Sequence, residues 1–503
     1  MADLSVDVAI VGSGFAGLGA AVRLAGAGRT DFVVLEKGES LGGTWRDNTY
    51  PGCACDVPSH LYSFSFAPNP DWTRLFARQP EIRAYLEGIA DRYGLREHIR
   101  FGAAVTRAEW EGTGWAVTTS DGTAIRARVL VWATGPLHIP SVPEIDGLDE
   151  FEGTAFHSSQ WDHSHDFAGK RVAVVGTGAS AIQFVPQIQP QATSLTLFQR
   201  TAPWVLPKPD RPIPAVARAL YRVFPAAQKL QRGVIYARNE ALVSGFRKPR
   251  RMKLVERFAR AHLARTFADR PDLAAKLTPD FTIGCKRILM SNDYYGALKQ
   301  PNAEVVTEKI VRVTRNAVVT ADGVEHEVDT IVFGTGFKVG EGMGHDVTIT
   351  GRDGVKLDDV WARGPEGFLG TTVAGFPNLF TMIGPNTGLG HSSMIYMIES
   401  QTSYLLDALA LVDRSGAAAI DTRRDRQDRF NAALQRKLDG SVWTAGGCAS
   451  WYLDEDGRNR TLWPDYTFRY RRRTRRVHHA DHELLGRAVD NDVMAAWNVS
   501  KQP

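Results

Sequence analysis

The chain has 503 residues, 43% of them hydrophobic and 23% charged, which excludes a disordered or collagen-like polymer and suits about three domains or sub-domains. A formal charge of +4 is too small to argue for a nucleic-acid partner, and four cysteines in so long a chain make no disulfide scaffold. No apolar run approaches the ~20 residues of a membrane span, and the opening stretch carries two acids and no base, so a reducing, cytoplasmic protein without stable membrane insertion is expected.

The first predicted element is a strand over residues 5–11, where Val8, Ala9, Ile10 and Val11 form the continuous apolar run of a doubly buried parallel strand. It leads into Gly12-Ser13-Gly14-Phe15-Ala16-Gly17 and an Ala/Leu-rich helix to about Gly28. A second apolar run, residues 31–35, ends at Glu36. Gly12 permits the tight turn, Gly14 lets backbone approach a pyrophosphate, and Gly17 lets the helix pack on the strand. The helix N-terminus offers free N–H groups to the phosphates. Glu36 lies nineteen residues beyond Gly17, where an acid accepts hydrogen bonds from a ribose 2′-hydroxyl.

The pattern returns with one charge reversed. A strand over residues 170–175 runs into Gly176-Thr177-Gly178-Ala179-Ser180-Ala181, and a helix follows to about Gln189, with Ser180 and Gln183 among the expected nucleotide contacts. The next strand, residues 194–198, leads to Arg200 and Thr201. Arg200 also lies nineteen residues past the third small residue, but a guanidinium there pairs with a 2′-phosphate that a carboxylate would repel. A second echo lies in Asp121-Gly122 and Asp322-Gly323, hairpin signals each placed thirteen residues before a glycine that closes an apolar strand, Gly135 and Gly336. The expected fold is α/β, with two Rossmann-like dinucleotide-binding domains, the first for FAD and the second for NADPH. Expected limits are 1–145 for the first part of the FAD domain, 146–374 for the NADPH domain with a helical insertion at about 206–282, and 375–503 for the second part of the FAD domain with a C-terminal segment.

Two nucleotide domains in one chain leave three enzyme classes: disulfide reductases, electron-transfer reductases and oxygen-activating monooxygenases. Cys53-Ala54-Cys55 has one intervening residue, unlike a redox Cys-x-x-Cys, and reads as two small buried thiols. The stretch from Phe151 through Gly153, His157 and Trp161 to Asp162 resembles the fingerprint of the type I Baeyer–Villiger monooxygenases, in which nitrogen- and sulfur-oxidising relatives carry Tyr or Phe at the place of Trp161. A second motif of that family is complete in Gly42-Gly43-Thr44-Trp45, Tyr50-Pro51-Gly52 and Asp56. The resemblance runs from the first strand to at least Pro464, with Ala181 as the one departure at a motif position.

The resemblance implies a ketone substrate, dioxygen, and a C4a-peroxyflavin that inserts one oxygen atom to give an ester or lactone. Gly284-Cys285-Lys286-Arg287 is similar to the segment bearing the family's active-site arginine. It implies that Lys286 joins Arg200 and Thr201 at the NADP 2′-phosphate, and that Arg287 stabilises negative charge in the reaction. Asp56 would orient Arg287, while Thr44, Trp45 and Tyr62 would contact FAD. His157 and Trp161 would couple the two domains and perform no proton transfer on substrate. A heteroatom monooxygenase and an NADPH-dependent flavin reductase or oxidase remain the alternatives, with sulfide oxidation expected at least as a side activity. Ketone identity, regiochemistry and oligomeric state are not legible.

The remaining stretches carry weaker signals. Ser392 or Ser393 suits the N-cap of a long helix. Residues 211–279 read as helical, with Val255, Ala259, Leu263 and Phe267 forming one apolar stripe and Arg and Lys opposite it, as in a solvated insertion. Six arginines between Phe468 and Val477 read as a solvated strand or loop edge. His478, His479, Asp481, His482 and Glu483 have no spacing that sets a coordination geometry, so no metal is expected.

Overall fold

The computed structural model describes residues 3–339 and 347–486; the ends of the expected first and last domain segments, 1–2 and 487–503, lie outside the described residues. The strand Leu4–Val11 lies at the centre of a large sheet, with Phe32–Leu35 parallel on one side and Ala124–Trp132 parallel on the other. Its last four residues are buried, which is why that run carries no polar alternation. Ile99–Arg100 extends the sheet beyond Phe32–Leu35. Trp115–Thr119 and Val105–Trp110 extend the opposite side antiparallel, and Leu379–Thr381 pairs parallel with Ala124–Trp132.

A second, wholly parallel sheet has the order Ala303–Val306, Ser194–Phe198, Arg171–Val175, Thr330–Phe333, Thr154–His157. The α/β class with two dinucleotide-type sheets is therefore present. The strand Thr348–Thr350 pairs with Val105–Trp110 in the first sheet, so the chain is back in that sheet well before the expected return at 375.

The duplication extends to individual atoms. Gly12 and Gly176 both have positive φ, 101° and 105°. A Cβ on Gly12 would sit 2.8 Å from the Ala133 carbonyl oxygen, and one on Gly176 would sit 2.6 Å from that of Gly334. Both carbonyls immediately follow a strand of their sheet, so each first glycine is demanded by the same close approach. A Cβ on Gly17 would overlap the Gly12 carbonyl oxygen at 1.8 Å, which is why the helix Phe15–Ala25 can cross so near the turn.

The hairpin signals resolve differently in the two halves. At Asp121-Gly122 the second hairpin strand, Ala124–Trp132, is itself the buried strand. At Asp322-Gly323 the hairpin Ala317–Thr320 with Glu325–Glu327 joins Ile310–Val313 in a separate three-stranded sheet, and Thr330–Phe333 starts afresh after it. The insertion is helical as expected, in the pieces Ala215–Val223, Pro225–Phe246, Pro249–Thr266 and Pro271–Lys276. The last three each begin with a proline, whose missing N–H costs nothing in a first turn. Ala259, Leu263 and Phe267 of the apolar stripe are buried and Val255 is half-buried.

The arginine-rich stretch departs from expectation: it is a helix, Thr467–Thr474, with Thr467, Tyr470 and Thr474 buried at helical spacing. Arg471 lies 3.7 Å from the Tyr396 ring centroid and pairs with Glu399, and Arg469 pairs with Asp465. Packing on aromatic faces and ion pairing, which the composition of the stretch conceals, make a helix there stable. The cysteines build no scaffold, yet Cys285 and Cys448 form one disulfide that their spacing did not predict.

Candidate active site

Three loops converge between the two sheets. Asp56 follows the turn at Gly52, and Arg287 follows the Cys285 bridge. The third loop precedes the helix Met394–Ser415, which Ser393 caps through a hydrogen bond that its Oγ accepts from the Ile395 N–H at 3.2 Å. Arg287 donates from Nε to Asp56 Oδ2 at 2.5 Å and from Nη2 to Asp56 Oδ1 at 2.7 Å, a two-point fork that fixes the guanidinium plane. Its remaining nitrogen donates to the Leu389 carbonyl at 3.2 Å.

Desolvation raises the Asp56 carboxyl pKa, but the Arg287 charge and hydrogen bonds overcome it and hold the group below the ordinary carboxylate range. The Asp56 charge is the largest influence on Arg287 and strengthens its hold on its proton. Lys208, which no motif marked, donates to the Cys55 carbonyl at 3.1 Å and adds a second cation near Asp56.

Cys53 and Cys55 are free and buried, and burial pushes the Cys53 thiol up to about 12. A thiol so hard to ionise is no redox nucleophile, so these residues are the packed thiols expected.

The first nucleotide loop can receive a pyrophosphate. The helix Phe15–Ala25 has no side-chain cap, and a Cβ on Gly14 would meet nothing nearer than the Gly43 Cα at 3.7 Å. Its N–H groups therefore face a cradle with backbone on both sides. Glu36 is buried at the edge of this loop, accepting from Ser13 N–H at 2.9 Å, from Ser13 Oγ at 2.7 Å and from Arg46 at 2.5 Å. Burial raises its pKa, but Arg46, Ser13 and the Gly38 N–H together bring it below the usual value, so it is a carboxylate. Arg46 escaped sequence reasoning; its one signal was its place beside Trp45. Thr44 starts a short helix, and Trp45 Nε1 donates to the Tyr62 hydroxyl at 3.1 Å, so the three expected residues Thr44, Trp45 and Tyr62 form one cluster.

The second loop repeats the cradle. The helix Ala181–Ile188 has no side-chain cap at Ser180, and a Cβ on Gly178 would meet only the Gly334 carbonyl oxygen at 3.6 Å. Thr177 Oγ1 donates to the Thr201 carbonyl at 3.0 Å, tying the loop to the segment that bears Arg200. Burial first, and then the charge of Arg200, lower the Lys286 pKa, which records that two cations from distant segments share one place. That arrangement suits a dianion. Gln183 does not point its amide into this cradle: it accepts from the Ala54 N–H at 3.0 Å and donates to the Ala54 carbonyl at 3.1 Å, clamping the Asp56 loop to the second sheet's helix. His157 pairs through Nδ1 with Ser159 at 2.8 Å, and Trp161 packs against Phe156, Phe167 and Phe184.

The match to known proteins follows this geometry. Residues 9–222 match the family model described as pyridine nucleotide-disulphide oxidoreductase. A Baeyer–Villiger monooxygenase of Pseudomonas aeruginosa is 53% identical over 93% of this chain and 89% of its own length. One from Streptomyces coelicolor is 54% identical over 95% of this chain and 93% of its own. Among solved structures, an oxidised steroid monooxygenase bound to NADP superposes with a TM-score of 0.86 at 32% identity, covering 96% of this chain and 99% of that one.

Proposed function

The chain belongs to the Baeyer–Villiger monooxygenases, and on that premise we propose how its own residues share the work. The protein is an FAD- and NADPH-dependent monooxygenase that converts ketones to esters or lactones with dioxygen. Bound FAD, reduced by NADPH, supplies the oxygen-activating chemistry.

The residues present fit both nucleotides. Gly12, Gly14 and Gly17 with the uncapped N–H groups of Phe15–Ala25 would hold the FAD pyrophosphate, and Glu36 its ribose. Thr44, Trp45 and Tyr62 would line the same cofactor. Gly176, Thr177, Gly178 and Ser180 would hold the NADPH pyrophosphate. Arg200, Thr201 and Lys286 would bind its 2′-phosphate, an assignment supported by the lowering that the Arg200 charge adds to burial at Lys286. Gln183 would act on NADPH through the Ala54 clamp, by positioning the segment that the nicotinamide approaches.

Arg287 is the proposed catalytic residue and Asp56 its partner, and the bidentate pair carries this reading. A guanidinium never surrenders its proton at working pH. It therefore stabilises negative charge on oxygen beside the ketone carbonyl without quenching it by proton transfer. Asp56 keeps the fork aimed, and its own negative charge prevents Arg287 from turning toward bulk anions. The proposed FAD unit is built on the first sheet, with Thr348–Thr350 belonging to it, and the proposed NADPH unit on the second with the helical insertion. The proposed setting is the cytoplasm, and among the described residues no helix is long and apolar enough to cross a membrane.

The test is product formation by the FAD-loaded protein with NADPH, isotopically labelled dioxygen and a panel of cyclic, linear and aryl ketones. The expected result is one ester or lactone per NADPH, carrying one labelled oxygen atom. Peroxide released one-for-one with NADPH whatever ketone is present would overturn the reading in favour of a reductase or oxidase.

A further inference from the structure

The geometry points to the helical insertion as a docking surface for an anionic phospholipid bilayer, on which the enzyme rests peripherally. Residues 215–266 hold thirteen Lys and Arg against two acids, Glu240 and Glu256. This stretch of 52 residues thus carries +11 in a chain of +4, leaving −7 for all the rest. Glu240 does nothing to soften that field at the surface, because it is buried, accepting from Thr467 N–H at 2.9 Å and from Thr467 Oγ1 at 2.7 Å. Among the described residues, Lys229, Arg238, Arg250, Arg251 and Lys253 have no carboxylate partner.

The same stretch exposes apolar surface. Of the seventeen large apolar side chains exposed among the described residues, nine lie within it. None of the nine residues of Ala215–Val223 is fully buried; Ala217 and Tyr221 lean on the core, while Val216, Leu220 and Val223 recur at helical spacing on the outer side. In Pro225–Phe246, Leu230 and Val234 lie a turn apart and opposite the buried Gln228, Ile235 and Asn239. In Pro249–Thr266, Leu254 and Phe258 do the same opposite Met252, Ala259 and Leu263. Val216, Val223 and Leu254 are 81%, 85% and 75% exposed, positions that a helix facing water fills with charge.

Charge and apolarity together select the occupant. A second copy of this chain docked by the same face would set one cationic helical surface against another. A nucleic acid would use the cations and leave Val223 and Leu254 against phosphate. An anionic bilayer uses both, with apolar side chains in the acyl boundary and ammonium and guanidinium groups among the headgroups. The inner side of these helices bears on the active site: Phe246 and Met252 pack against Gly284, three residues before Arg287. Bilayer docking would thus present the Arg287 segment to lipid-dissolved ketones. That consequence rests on the proposed reaction; the docking itself does not.

The experiment is flotation of the full-length, FAD-loaded protein with vesicles of phosphatidylcholine containing one third phosphatidylglycerol, at low ionic strength. We expect co-flotation that added salt reverses, and at least about tenfold weaker capture by pure phosphatidylcholine vesicles. The double variant Val216→Asp/Val223→Asp, altered only at outward positions, should partition about tenfold less while keeping its FAD content and its rate of reduction by NADPH. Absence of flotation at low salt overturns the proposal without touching the reaction. So does flotation that the double variant leaves unchanged, and so does duplex DNA displacing the protein from vesicles and binding the double variant equally well, which would assign the charge to nucleic acid.

Discussion

At the scale of single residues, the proposed site rests on one guanidinium held in a fork. Arg287 gains from Asp56 both a fixed plane and a firmer hold on its proton, and a lysine could reproduce neither the two-point geometry nor the permanence of the charge. Arg287→Ala should retain flavin reduction by NADPH while ketone oxygenation falls by at least about a hundredfold, the scale of losing a charge-stabilising donor. Stopped-flow reduction and product yield measure the two separately, and normal ester formation by the variant would sink the assignment. Arg287 and Asp56 were legible only through the family motifs that their segments resemble. Lys208 and Arg46 were not, since each matters only through a partner that the fold brings near, Cys55 and Glu36.

Whole elements respond to tethers and to buried titrating groups. The Cys285–Cys448 bridge closes a loop of 163 residues and holds the segment immediately before Lys286 and Arg287. Alkylation of the unfolded, unreduced protein should label Cys53 and Cys55 alone, and labelling of all four cysteines would show that no bridge forms in solution. Cys448→Ser should lower stability by about 2–5 kcal/mol, read as a fall in Tm.

The antiparallel pair Ala419–Thr422 with His482–Leu485 carries a pH dependence. His482 is buried against the Tyr404 hydroxyl at 2.6 Å, and burial pushes it down to about 4; burial, with the Arg232 charge, does the same to His60. Between about pH 6.5 and 4 the unfolded chain takes up protons on these rings that the native state refuses, so stability falls as pH falls. Asp421, pushed up to about 6 chiefly by burial, works the other way from about pH 6 down to 4 and offsets one of the two histidines. Tm should therefore drop from pH 7 to pH 5, and His482→Gln should flatten that slope by at most about 1.4 kcal/mol per pH unit. An unaltered slope in the variant would mean that the ring does not titrate during unfolding.

For the molecule as a whole, the two nucleotide units meet backbone to backbone at one close contact. Gly52 has φ of 80°, and a Cβ there would sit 2.7 Å from the Gln183 carbonyl oxygen in the helix of the second sheet. Gly52→Ala forces those backbones apart and strains the turn. It should slow flavin reduction by NADPH at least about tenfold, the penalty of misplacing reactants by an ångström or so, while FAD content stays constant. Equal reduction rates in the variant and the parent would show that this contact does not position the nicotinamide.

Family resemblance alone pointed to the candidate pair Asp56 and Arg287, whereas the sequence by itself determined the two nucleotide loops and the charge reversal between Glu36 and Arg200. These rest on local backbone geometry and on fixed offsets along a strand–loop–helix unit, which neighbouring residues dictate. Only the tertiary structure decided what depends on distant segments. The return of Thr348–Thr350 to the first sheet needs a partner some 240 residues earlier in the chain. The helix Thr467–Thr474 needs the aromatic faces and carboxylates its arginines lean on. The Cys285–Cys448 bridge, the Gln183 clamp on Ala54 and the outward apolar side chains of the insertion belong with them. Periodicity shows that a helix has two faces, and packing alone decides which of them meets the protein.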